Sequence, residues 1–415
     1  MKASEVDQRV GFVWTEAPGS VRALLLVAGS QLLALTLWFS ASAVAPQLER
    51  VWDLTRGQSA WLTLSVQIGF VVGALVSAIF NLSDLVASRR LFVASALAGA
   101  AANGALLWVD GDRYGLAVAL RFATGAALAG VYPSGLKVMA GWYRRGRGTA
   151  MGILVGALTV GSAAPHLIRG LGFGWEGVVV AATLLTVVAA VAMGFGVADG
   201  PYEVRTQPFD PRAVASVIRN RGVRLATYGY LGHMWELYAL WTWAAAFLAA
   251  SAAVAGVSYG SIPVVTFFVI AAGGIGSYLF GRLADMRGRT VSAGLSMAIS
   301  GTIALISPLL FGASPWVVVP LFLLWGFTVV ADSAQFSAMV TETASADARG
   351  TALTLQTALG FLLTLVTIRS VPLVVDAWGW RWSFLGLAVG PALGVVAMVR
   401  LRHSPIAARL AGGRG

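Results

Sequence analysis

The sequence predicts an all-α membrane protein with twelve membrane-spanning helices in two bundles of six. Two observations predict this fold class. Hydrophobic residues make up 58% of the 415 residues and charged residues only 11%, which leaves more apolar surface than a soluble fold can bury. The apolar residues also fall into long runs, and about 20 residues suffice for an α-helix to cross the hydrocarbon core.

Six of these runs precede residue 200 and six follow it. They lie near residues 22–46, 58–81, 91–109, 114–139, 148–170, 176–198, 223–250, 260–281, 290–311, 315–338, 350–375 and 381–400. Between the sixth and seventh lies a stretch rich in proline and arginine, which is typical of a linker. The predicted organisation is a tail at 1–21, an N-terminal bundle at 22–199, a linker at 200–222, a C-terminal bundle at 223–401 and a tail at 402–415.

The net charge of +11 comes from short basic clusters between apolar runs, with no basic domain. Such clusters indicate membrane topology rather than nucleic-acid binding. Most of them fall on the side of the two tails, so both termini are predicted to be cytoplasmic in a multi-pass protein of the cell membrane. The polar first 21 residues predict a retained first span without a cleaved signal peptide.

The stretch GRLADMRGRT, residues 281–290, is dense in charge and glycine and lies between two long apolar runs. It predicts a short solvent-facing loop, because Gly281 and Gly288 permit a tight reversal. Asp285 offers a carboxylate to a helix N-terminus, and Arg289 belongs to the arginines that mark the cytoplasmic face.

The two halves of the chain repeat. Asp84 and Asp285 are 201 residues apart. The quartet Arg-Gly-Thr-Ala occurs at Arg147 and at Arg349, 202 residues apart, and each copy opens an odd-numbered span. Two features at nearly one offset predict an internal duplication.

The pattern Gly281-x3-Asp285-x2-Gly288-Arg289 resembles the loop signature of major facilitator superfamily transporters, and residues 80–90 resemble a weaker copy around Asp84. The resemblance implies that each loop aspartate packs against the start of a span in the other half.

These implied gating contacts pair Asp84 with the helix that follows Arg349, and Asp285 with the helix that follows Arg147. If these contacts break when the two halves rock apart, they influence which conformation of the gate is favoured. The alternative is that both acids are solvated loop residues.

Ionisable residues at membrane depth are costly and are functional candidates by default. Arg121 begins RFATGAALAGVYP, which resembles the fourth-span pattern of the family. We predict that Arg121 belongs to the substrate or proton pathway; the alternative is that it reaches the headgroups.

The seventh run carries His233 and Glu236 three residues apart on one helical face. Burial disfavours the charged form of both groups, which suits proton exchange, and Glu236 is the best candidate for proton coupling. The alternative is a polar pair bonded to neighbouring helices. Aromatic residues around them could wall a solute site: Tyr230, Trp235, Tyr238, Trp241 and Trp243.

Three further residues are candidates for the same pathway. Asp332, late in the tenth run, is either a second protonatable group or a water-exposed acid at a cavity mouth. Trp38 in the first run and Gln356 in the eleventh lie where the cavities of facilitators are lined, a placement that the resemblance implies.

Nothing in the sequence indicates an enzyme or a cofactor. The three histidines are scattered, cysteine is absent, and no nucleophile or metal motif occurs. The glycine spacing Gly172-x-Gly174-x2-Gly177 matches the fingerprint of a dinucleotide-binding loop. That loop must follow a β-strand, and no strand is predicted before Gly172, so we do not predict a dinucleotide site.

The sequence of residues 129–152 most closely resembles that of the nitrate and nitrite porters of the superfamily. Those porters hold their anion with arginines in spans 2 and 8, which residues 58–80 and 261–280 lack, so a different solute is expected. The resemblance implies a secondary transporter that works by alternating access in the lipid bilayer, as a monomer. Proton-driven uptake of a small molecule is favoured over proton-antiport efflux, and a transporter-like sensor is the third possibility.

Overall fold

The computed structural model describes residues 17–143, 147–202 and 209–415, with the backbone alone at 83, 84 and 147–149. In this part of the chain the secondary structure is helical, without strands, and twelve helices are long and apolar enough to cross a membrane. The predicted twelve-span fold is confirmed. The helices, numbered α1 to α12, are Ser20–Leu37, Arg56–Ile79, Ser88–Trp108, Gly111–Ala140, Ala150–Gly170, Trp175–Gly196, Arg221–Ala255, Ile262–Arg287, Arg289–Leu310, Pro315–Thr343, Ala346–Trp378 and Trp380–Arg402.

Local sequence signals fix several helix ends. Thr55 and Gln58 form a capping box at the start of α2, in which Gln58 N donates to Thr55 Oγ1 at 3.2 Å. Asn220 caps α7 by accepting from Val223 N at 3.1 Å. Gly256, with φ of 67°, ends α7 in the left-handed conformation that glycine adopts without strain.

The predicted loop at 281–290 is wrong in its extent. Helix α8 continues to Arg287, and Gly288, with φ of 98°, is the single residue between α8 and α9. Residues 282–287 are mostly good helix formers, and Arg287 in the last turn suits the negative end of the helix dipole. Gly281 is therefore an ordinary helical residue, since a Cβ added there would meet nothing within 4 Å.

Interruptions in the first and tenth predicted spans bear on the candidate site residues. Regular α-helix in α1 ends at Ala34, a 3₁₀ turn follows at Leu35–Leu37, and an irregular segment at 38–41 leads to a second 3₁₀ turn at Ser42–Val44. Helix α10 is broken at 330–332, between Pro315–Val329 and Ser333–Thr343. An apolar run predicts that a segment crosses the membrane, but not that its helix is unbroken.

Serine hydroxyls satisfy carbonyl groups near the break in α10. Ser296 Oγ donates to the carbonyl oxygen of Thr328 at 2.6 Å, and Ser277 Oγ donates to that of Val330 at 3.3 Å. Irregular backbone at membrane depth needs such partners, because hydrocarbon offers none.

The duplication extends to helix packing. A Cβ at Gly125 in α4 would overlap the carbonyl oxygen of Val66 in α2, and a Cβ at Gly326 in α10 would overlap that of Val269 in α8. Gly125 and Gly326 are 201 residues apart, the offset that separates Asp84 from Asp285. Equivalent glycines therefore bring equivalent helices into backbone contact in the two bundles.

Two helix pairs make extensive contact between the bundles. In the α5–α8 pair, a Cβ at Gly274 would lie 3.3 Å from the carbonyl oxygen of Gly156. In the α2–α11 pair, Arg56 Nη1 lies 2.9 Å from Asp376 Oδ1, at the face opposite the start of α1 and the C-terminus. The segment before α7 forms a short helix, Val214–Arg219, and Asp210 N donates to Thr351 Oγ1 of α11 at 2.9 Å. The domain boundaries stay a prediction.

Glycines of one helix should differ sharply in their tolerance of alanine. A Cβ at Gly276 would overlap the carbonyl oxygen of Phe327, so Gly276→Ala forces α8 and α10 apart and should lower the free energy of unfolding by about 1–3 kcal/mol. The matched change Gly281→Ala should leave it unchanged or raise it by up to about 1 kcal/mol. Thermal unfolding of the two purified variants in detergent measures the difference, and equal effects would contradict the glycine-mediated packing.

Candidate functional site

A buried carboxyl group lies at the centre of the C-terminal bundle. Glu236 of α7 accepts a hydrogen bond from Ser300 Oγ of α9 at 2.7 Å and another from Trp325 Nε1 of α10 at 2.6 Å. Its side chain is buried, and both carboxyl oxygens are engaged. Glu236 is therefore held by three helices of one bundle and faces away from the other bundle.

His233 lies one turn from Glu236 and faces Asp332, which sits at the break in α10. Its Nδ1 is 2.8 Å from Asp332 Oδ1, and both side chains are buried. The two atoms meet the distance of an ion pair without the alignment of a hydrogen bond. Asp332 is thus buried in this structure rather than water-exposed. We call Glu236, His233 and Asp332 the acidic triad.

A second polar group lies between the acidic triad and the face that carries the termini. Arg289, the first residue of α9, donates to both carboxyl oxygens of Glu342 at 2.7–3.0 Å and to Gln335 Oε1 at 3.1 Å. Gln335 follows Asp332 by one helical turn. Polar side chains therefore extend along α10 from the partly exposed Glu342 to the buried Asp332.

Arg121 lies in the N-terminal bundle and is fully buried. Its guanidinium donates to the carbonyl oxygens of Leu37 at 3.1 Å and Trp38 at 2.7 Å, where regular α1 has ended. It also donates to Ser40 Oγ, Asn103 Oδ1 and the carbonyl oxygen of Leu62 at 3.1–3.3 Å. The arginine thus supplies donors to the irregular segment of α1, where helix carbonyls carry partial negative charge.

Aromatic residues from both bundles meet between them, some from the middle of α2, α7 and α11 and others from the segment that follows α1. This aromatic cluster consists of Trp38, Phe39, Phe70, Tyr238, Trp241 and Phe361. Ring centroids across the interface are 4.6 Å apart for Phe70 and Phe361, and 5.8 Å apart for Trp38 and Tyr238. Two other aromatic residues named around Glu236 bond within the C-terminal bundle: Trp235 Nε1 donates to the carbonyl oxygen of Gly386 and Trp243 Nε1 to that of Ile368.

Several polar atoms on the chain segments that carry these rings have no hydrogen-bond partner among the described residues. They are the indole nitrogens of Trp38 and Trp241, both amide atoms of Gln67 and Nε2 of Gln356. All four side chains are buried. Polar groups left unsatisfied in this way are unusual, because each loses free energy that a partner would restore.

The structure describes the side chains of some of the predicted gating residues. The regular α-helical segments of the fifth and eleventh spans are Arg147–Gly170 and Arg349–Trp378, and each opens with the duplicated quartet. The side chains of Asp84 and Arg147 lie outside the described residues, so neither implied aspartate contact can be placed. Asp285 is exposed in the last turn of α8, and Arg289 contacts α10 of its own bundle.

Sequence reasoning missed the partners of these groups. Ser300 and Trp325 hold Glu236, and Asn103 holds Arg121. Serine, asparagine and tryptophan inside apolar runs carry no spacing signal, so only the packing of the helices identifies them. Across the described ranges, no group of three or more His, Cys, Asp or Glu residues could hold a metal ion.

A comparison with models of known protein families identifies the family of this chain. The family model described as Major Facilitator Superfamily matches residues 27–368, which is most of the chain. No curated protein matches the chain.

Replacing Arg121 by lysine should destabilise the protein although the charge is kept. A lysine ammonium has three donors and cannot reach the five acceptors that the guanidinium now serves, and each buried acceptor left unsatisfied costs about 1–3 kcal/mol. We expect Arg121→Lys to lower the free energy of unfolding by at least about 2 kcal/mol. Arg113→Lys, an exposed position of the same helix, is the control. Equal thermal stability of the two variants would refute this role of Arg121.

Proposed function

Because the chain belongs to the Major Facilitator Superfamily, we propose that it is a secondary active transporter that moves a small solute across the cell membrane by alternating access, coupled to protons. Members of this family are transporters rather than enzymes. The observation that carries the proposal is the aromatic cluster, because both bundles contribute to it and its members on α2, α7 and α11 lie near the middle of those helices. A solute site between two halves that rock against each other has this location.

Contacts at the face opposite the termini support alternating access. Arg56 and Asp376 pair across the bundles there, and the guanidinium of Arg369 lies against Gly57. Both members of the Arg56–Asp376 pair are about half exposed, and such ion pairs contribute only about 0–1 kcal/mol. A contact of this strength can close one face of the site and still open during each transport cycle.

The acidic triad supports proton coupling. Glu236 and Asp332 are buried carboxyl groups on different helices, with His233 beside Asp332. Ionisable groups at this depth are characteristic of proton relays in transporters. Gain or loss of a proton at the triad would change how α7 packs against α9 and α10, and so which conformation is favoured.

The sequence supports our proposals for the direction of transport and for the class of solute. Proton antiporters of the superfamily carry a fifth-span pattern that ends in Gly-Pro-x-x-Gly-Gly. The fifth span of this chain lacks that ending, which favours uptake over efflux. Residues 58–80 and 261–280 contain no arginine, so we propose a solute other than nitrate, despite the likeness of residues 129–152 to nitrate and nitrite porters. A binding protein without transport is the alternative, and flux measurements distinguish it.

Neutralising Glu236 should uncouple transport from protons. A thermal-shift screen of the purified protein against organic anions, amino acids, sugars and cationic drugs identifies a bound solute. In proteoliposomes, Glu236→Gln should reduce the accumulation of that solute under an inward pH gradient to background while solute exchange continues. Glu176→Gln, at an exposed position of α6, should behave as the unmodified protein. Undiminished accumulation in Glu236→Gln would contradict its role in coupling.

Joining the bundles at the face opposite the termini should stop transport. The chain contains no cysteine, so Arg56→Cys combined with Asp376→Cys introduces the sole pair of thiols. A short bifunctional thiosulfonate should abolish solute flux in this double variant, and a reductant should restore it. Each single variant, treated in the same way, controls for modification alone. Flux that persists through complete cross-linking would show that the bundles need not separate at this face.

A further inference from the structure

The aromatic cluster indicates which chemical class of solute the protein takes, an inference that rests on the proposed function. Its six rings come from four parts of the chain: the irregular segment at 38–41, α2, α7 and α11. Phe39 and Tyr238 have nearly parallel rings, with centroids 6.0 Å apart and an interplanar angle of 18°. When the bundles separate, ring faces that now contact each other become available to a flat solute.

Unsatisfied donors identify what the solute must carry. The indole nitrogens of Trp38 and Trp241 can only donate, and both lack a partner within the described residues although their side chains are buried. Gln67 of α2 and Gln356 of α11 add amide groups with unsatisfied nitrogens, on the two helices that meet between the bundles. A solute that bears hydrogen-bond acceptors would satisfy these donors.

Two buried charged side chains next to segments of the cluster, Arg121 and Glu236, are already engaged by the protein. Arg121 donates five hydrogen bonds to neutral acceptors behind Trp38. Both carboxyl oxygens of Glu236 accept hydrogen bonds inside the C-terminal bundle. The rings of the cluster therefore present no free charge, and a charged solute would lose its hydration without gaining a partner.

We propose that the solute is an uncharged aromatic or heteroaromatic molecule bearing hydrogen-bond acceptors, and that it stacks within the aromatic cluster and accepts from Trp38 and Trp241. Aromatic stacking supplies affinity beyond the burial of area, and the indole donors fix the orientation of the ring. The two tryptophans are then the residues that determine specificity.

Four small probes test the proposed class by thermal shift and by equilibrium binding. Benzamide has the ring and the acceptor, cyclohexanecarboxamide lacks the aromatic ring, and benzoate and benzylammonium carry charge. We expect benzamide to bind at millimolar concentration and each of the other three to bind at least about tenfold more weakly. Absence of benzamide binding, or equal binding of any other probe, overturns the proposed class.

Conservative substitutions test the site. Trp38→Phe and Trp241→Phe keep a ring and remove one donor, so each should weaken benzamide binding about fivefold, the effect of losing one hydrogen bond. Trp108→Phe, whose side chain is 77% exposed, should bind benzamide normally. Unchanged binding in both cluster variants overturns the site. A pH gradient that drives an aliphatic or charged solute would refute the solute class and leave transport standing, whereas bound benzamide that is never moved would refute transport alone.

Discussion

Every polar backbone group inside the hydrocarbon core must find its partner within the protein, and this constraint governs where the chain can depart from helix. The interruptions in α1 and α10 both meet it with side chains. Arg121 donates to carbonyl oxygens at the irregular end of α1, and Ser277 and Ser296 donate to carbonyl oxygens near the break in α10. The buried arginine is thus explained by the backbone it serves.

The same interruptions place the residues of the candidate sites. Trp38 and Phe39 lie in the irregular segment after α1, where they reach the other bundle. Asp332 lies at the break in α10, where it reaches His233. A continuous helix would turn these side chains by its fixed period of 3.6 residues. Interrupting it allows two neighbouring aromatic side chains, at 38 and 39, to enter one cluster.

The twelve spans could be predicted because length and hydropathy alone identify a membrane crossing. The helix breaks could not be predicted, because the carbonyl groups at a break need hydrogen-bond donors that lie far along the chain. Arg121, for example, donates to the carbonyl oxygen of Leu37. The burial of Glu236 could be predicted from its place in an apolar run, but its partners could not, because serine and tryptophan carry no signal there. The offset of 201 residues does recur at Gly125 and Gly326, so the repeat could have predicted that packing.

Charge and aromatic surface are separated between the two sides of α7. At about 100° per residue, Glu236 and Tyr238 point about 200° apart, so one faces α9 and α10 and the other faces the N-terminal bundle. On the proposed function, protons and solute therefore never share a site. On the same proposal, coupling would pass through α7: a change at Glu236 would shift the helix, and the shift would move Tyr238 and Trp241 within the aromatic cluster. Helix α7 is the one element whose residues belong to both the acidic triad and the aromatic cluster.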